Sequence, residues 1–66
     1  MEMTVKQVRR YVDMTTGQMA TALGMSRWTY EKLEKTPDKF TMRQAMQFCK
    51  VTGIPMERVL FVQKPN

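Results

Sequence analysis

The stretch TTGQMATALGMSRWTYEKLEK, Thr15 to Lys35, reads as two short amphipathic helices joined at one glycine. Met19, Ala20 and Leu23 form the inward side of the first. Gly24 then stands where a left-handed residue ends a helix without a Cβ clash, and Ser26 is placed to cap the next one. On a wheel of about 100° per residue, Arg27, Glu31, Lys35, Trp28 and Lys32 share an arc of about 140°. Thr29, Leu33, Tyr30 and Glu34 fall on the other side. If Tyr30 and Leu33 are buried, the same packing cannot bury Trp28. The alternative is that Trp28 folds against a neighbouring element as a peripheral core residue, since tryptophans are well buried on average.

Outward from that stretch, the pattern Thr-x-x-Gln recurs before apolar periodicity: Thr4 with Gln7, Thr15 with Gln18, Thr41 with Gln44. Each fits a capping box, in which the threonine oxygen accepts a first-turn N–H and the glutamine reaches back to the cap. The predicted helices are about 4–12, with Val5, Val8 and Val12 inward; 16–23; 27–35; 42–52, with Met42, Ala45, Met46 and Cys49 inward; and 55–62, opened by Pro55. Gly53 ends the fourth, and TPDKF, 36–40, is expected to be the one real loop. No period of two extends far enough to predict a sheet, although Val59–Val62 would suit a short terminal strand. The fold class expected is all-α, a compact five-helix domain spanning residues 1–66 with its core between about 4 and 62. The eight methionines are read as soft filling on inward faces.

Eleven Lys and Arg against six Asp and Glu leave a formal charge of +5, which favours polyanions as partners. The longest apolar run, Val59–Val62, is far short of the ~20 residues of a membrane span, and MEMTVKQVRR carries no signal-peptide core. A cytoplasmic protein without membrane partners is expected. Cys49 is the sole cysteine and histidine is absent, so no disulfide, zinc set or histidine base is expected. No catalytic residue, metal, cofactor or small-molecule ligand is assigned; Glu31 and Glu34, three apart on one helix, are read as surface or ion-paired carboxylates.

The window from Thr16 to Lys35 resembles the helix-turn-helix of the phage Cro and lambda-type repressor proteins. The resemblance is carried by Met19, Ala20, Leu23, Gly24, Met25, Ser26, Tyr30, Leu33 and Glu34, and the ending Gly53-Ile54-Pro55-Met56-Glu57-Arg58-Val59-Leu60 is also similar to that family's. Thr16 departs from the usual glutamine, Tyr30 from a branched aliphatic, and Thr36-Pro37 from a glycine after the recognition helix. The resemblance implies a sequence-specific DNA-binding transcriptional regulator, a Cro-like repressor in a bacterial host cytoplasm, bound as a homodimer to a two-fold operator. It also implies an ion pair between Arg9 and Glu34.

Base contacts are expected from Arg27, Trp28, Thr29 and Lys32: a bidentate arginine to guanine, a lysine to a second acceptor, and apolar contact with thymine methyls. Glu31 is expected to position Arg27 or Lys35. The resemblance places phosphate contacts at Thr15, Thr16, Gly17, Lys35, Lys39, Phe40, Thr41 and Arg43. The apolar candidates for a dimer surface are Pro55, Met56, Phe61 and Val62; the alternative for them, Phe61 above all, is the closing edge of a small core. The competing expectation is a protein-interaction module on the same fold, an antitoxin or anti-regulator docking through Trp28 and the apolar C-terminal segment. An architectural protein that binds DNA without sequence preference is a third.

Overall fold

The computed structural model describes residues 2–61. All three capping boxes form. Thr4, Thr15 and Thr41 accept through Oγ1 from the amides of Gln7, Gln18 and Gln44 at 3.1, 3.0 and 3.1 Å, and each glutamine Oε1 accepts the threonine N–H at 2.9 Å. They open α1 (Val5–Tyr11), α2 (Thr16–Ala22) and α4 (Met42–Thr52). Between them, α3 (Arg27–Lys35) starts at Ser26, whose Oγ accepts from the Thr29 amide at 3.2 Å. Gly24 has φ +70° and Gly53 φ +73°, the left-handed geometry expected where α2 turns into α3 and where α4 ends.

Val5 and Val8 of α1, Met19 and Ala20 of α2, Tyr30 of α3, Phe48 of α4 and Val59 form one buried cluster. Sealing side chains of this size contributes about 1.5–3 kcal/mol each, before chain entropy is set against it. The α2–α3 packing is close because Ala20, buried at the crossing, has no bulk to hold the helices apart. Phe40, Phe48 and Phe61 meet edge to face, with ring centroids 5.2–6.0 Å apart, and close the far end of the core.

Three expectations need correction. The fifth helix does not form: Met56–Arg58 make one 3-10 turn, and Val59–Leu60 become a strand, β2, paired in parallel with β1 (Met3–Thr4), Met3 opposite Val59 and Thr4 opposite Leu60. Pro55, at ψ 144°, leads in extended, and the β-branched, aromatic run that follows gains more from an unpaired strand edge than from one helical turn. The described domain is therefore mostly helical, with four α-helices instead of five. Second, α4 is rotated from its predicted orientation. Ala45 and Phe48 are buried, whereas Met42 and Met46 are 68% and 58% exposed. The aromatic ring carries more apolar area than a flexible methionine and takes the core side. Third, the expected loop at 36–40 contains a 3-10 turn, Pro37–Lys39, with Pro37 buried.

Candidate nucleic-acid interface

Helix α3 is held from behind. Tyr30 and Leu33 are buried on its inner side, and the Tyr30 hydroxyl donates to Glu34 Oε2 at 2.7 Å. Arg9 of α1 donates to the same carboxylate twice, Nε to Oε2 at 2.6 Å and Nη2 to Oε1 at 3.3 Å, and its Nη1 donates to the Met14 carbonyl at 2.9 Å. Both partners are nearly enclosed, at 11% and 9% side-chain exposure. The hydrogen bond to Glu34 is the main cause that raises the Arg9 pKa, and burial first, then the bond to Glu34, pushes the Tyr30 phenol far above its ordinary range. One arginine thus ties α1, the α1–α2 turn and α3 into a single body. The Arg9–Glu34 pair implied by the resemblance is present.

The outer side is open. Trp28 is 67% exposed, and Lys32 Nζ lies 4.4 Å from its ring centroid, a cation–π contact worth roughly 0.5–1 kcal/mol at such a site. Trp28, Thr29, Lys32 and Lys39 line one shallow groove with Leu33 and Thr36, about 460 Å³ in volume. Lys39, expected for phosphate, therefore stands next to three of the four expected base-contacting residues. Thr29 lies at the groove edge, where its Oγ1 accepts from Ser26 Oγ at 2.9 Å.

Arg27, the fourth, is restrained on the neighbouring strip. Its Nε donates to Glu31 Oε2 at 2.9 Å, with side-chain exposures of 71% and 39%. Thr16 Oγ1 of α2 donates to the same oxygen at 3.2 Å. The Glu31 carboxyl is held below its ordinary value, first by the bond from Arg27 and then by that from Thr16, with the charges of Arg27 and Lys35 adding to it. Thr16, a short side chain, joins α2 to α3 through this bond. Of the two partners expected for Glu31, Arg27 is the one it meets here at 2.9 Å.

The phosphate set is more dispersed. The amides of Thr15 and Thr41 are taken by their own capping boxes. Phe40 N–H donates to the Pro37 carbonyl at 3.1 Å while its ring packs on Phe48 and Phe61, so a phosphate would have to displace an internal bond there. Thr16 and Gly17 keep first-turn positions on α2. Arg43 lines a different groove, beside Thr21–Gly24 at the end of α2.

Of the expected dimer surface, Pro55 is exposed and Met56 half-buried. Phe61 belongs to the aromatic closure of the core, and Val62 lies outside the described residues. Comparison of the chain with protein-family models, with curated proteins and with solved structures finds no match in any of the three.

Among the described residues, no cluster of three His, Cys, Asp or Glu is arranged to hold a metal, and no helix is long and apolar enough to cross a membrane. Cys49 is half-buried, and burial raises its thiol pKa. The exposed residues that sequence reasoning missed are Met42 and Met46. Phe48, two and six positions further along the same helix, was the signal that another face had the stronger claim on the core.

Proposed function

We propose that the protein is a sequence-specific DNA-binding regulator that lays the outer side of α3 in the major groove. The observation that carries this reading is an exposed indole stacked under a lysine, beside an arginine held by Glu31, on a helix fixed to the domain through Tyr30, Leu33 and Glu34. A cationic, rigid, nine-residue rod following a tight turn has the dimensions and charge that suit base-edge readout. Arg27 is the guanine reader, Lys32 and Trp28 shape the adjoining contact, and Lys39 neutralises a phosphate. Glu31, engaged by Arg27 and Thr16, orients the reader instead of accepting from cytosine. One such helix reads only a few base pairs, which favours a two-fold operator bound by a homodimer and a Cro-like repressor acting in the bacterial cytoplasm by occluding a promoter.

The Trp28 groove also suits a peptide of a partner protein, and salt separates the two readings. Neutralising six phosphates gives a log–log slope of about −5, whereas an apolar docking surface responds little. The experiment is selection of bound fragments from random DNA followed by gel shift at two salt concentrations. An enriched inverted repeat with a steep salt dependence is expected. No enrichment overturns the proposal, and enrichment without sequence consensus leaves an architectural role in its place.

A further inference from the structure

Two exposed methionines one turn apart are costly in water and are left uncovered by the domain's own packing. Met42 lines two grooves at once. On one side, about 310 Å³, its neighbours include Pro37, Asp38, Phe40, Ala45 and Met56. On the other, about 660 Å³, they are Arg43, Met46, Gln47 and Lys50. Met42 therefore stands between an acid-edged groove near the start of α4 and a base-edged groove that runs towards its end, and Met46, lining the second, continues the ridge by one turn.

From this we infer that the Met42–Met46 face of α4 is a homodimer surface, its occupant a second copy of the same chain. A two-fold axis lying in the plane of the interface and perpendicular to α4 brings the two faces together, runs the two α4 helices antiparallel and seats each ridge in the partner copy's acid-edged groove. The same operation carries the Asp38 end of one copy to the Lys50 end of the other, twice, so the edges match in sign as well as in shape. The complementarity decides the occupant. An acidic helix would satisfy Arg43 and Lys50 but would meet Asp38, and a nucleic-acid backbone would suit the two cations but not the thioethers between them. The surface differs from the one expected at Pro55, Met56, Phe61 and Val62: it keeps Met56, omits Phe61, which the core uses, and is centred on residues that sequence reasoning placed inside.

The test is sedimentation equilibrium of the full chain without DNA, from micromolar to millimolar concentration, so its outcome is independent of the DNA-binding proposal. The wild type is expected to dimerise. Met46→Glu is expected to raise the dimer dissociation constant at least about tenfold with an unchanged far-UV circular dichroism spectrum, while Met46→Leu retains dimerisation. Asp38→Lys and Lys50→Glu each weaken the dimer, and the double variant recovers it. A wild type that stays monomeric at millimolar concentration overturns the inference. So does a Met46→Glu variant that dimerises as tightly as the wild type, or a double charge variant no tighter than the singles.

Discussion

Arg9–Glu34 and Arg27–Glu31 are the same two side chains paired in opposite settings. The first is nearly enclosed, with every strong atom of the carboxylate engaged by Arg9 and Tyr30. The second stands in solvent on the outer side of α3, one turn away. In the enclosed pair the guanidinium has nowhere else to go, so losing one partner strands a charge; in the open pair water replaces either partner at little cost. The enclosed pair therefore serves the fold, and the open one holds Arg27 against Glu31 on the outer side of α3. The contrast separates what holds α3 from what α3 presents.

The largest effect tests the enclosed pair. Glu34→Ala removes the acceptor of three hydrogen bonds and leaves Arg9 desolvated, a loss of about 3 kcal/mol. For a domain this small that is a large part of the total, and it is read as a drop in urea midpoint. An unchanged midpoint would mean that the two pairs do not differ.

That division was partly legible in the sequence. The capping boxes are local, four-residue devices, and nothing distant competes with them, so the starts of α1, α2 and α4 follow from Thr4, Thr15 and Thr41 alone. The exposure of Trp28 follows from helical geometry once Tyr30 and Leu33 are taken as inward. The orientation of α4 was not legible, because Met42, Met46 and Phe48 are all apolar and only tertiary packing ranks them. The pairing of Met3–Thr4 with Val59–Leu60 joins the two ends of the described chain, and two-residue strands carry no period to read. Phe40 was assigned to a phosphate, and Phe61 was left between a partner surface and the edge of the core, for a similar reason: their contacts with Phe48 depend on which face of α4 is inward.

The open pair is tested next in size. Arg27→Ala is expected to weaken binding to the selected operator by about 1–3 kcal/mol and to relax preference at one base position, with the urea midpoint unmoved. A uniform loss across all sequences would reassign Arg27 to the phosphates.

Tyr30→Phe sharpens the enclosed side by about 1.5 kcal/mol, the low end for one hydrogen bond to a charged acceptor. The phenol pKa is raised by folding, so its contribution is fully present below the ordinary tyrosine value near 10 and declines as pH rises beyond it, where only the unfolded chain ionises readily. Stability of the wild type is thus expected to fall between pH 9 and pH 11 more steeply than that of Tyr30→Phe, as measured by urea midpoints at the two values.

Smallest is Glu31→Gln, which leaves thermal stability unchanged within error because its pair is solvated. The Glu31 carboxyl is depressed by Arg27, so the restraint on Arg27 is present above the ordinary carboxylate range and is lost as pH falls through the lowered value. Arginine side-chain NMR relaxation is expected to show Arg27 gaining mobility in Glu31→Gln at neutral pH, and in the wild type only on acidification. Equal mobility in both proteins at neutral pH would remove Glu31's positioning role.

DNA is proposed to meet the protein on the outer side of α3. The most direct measurement is titration of the selected oligonucleotide into isotope-labelled protein, following the Trp28 indole Nε1–H and the amides of α3. The indole and the Arg27–Lys32 amides are expected to shift together to saturation while the Arg9 and Val8 amides stay in place. An indole signal that does not move at saturating DNA, with shifts gathered on another face, would contradict it.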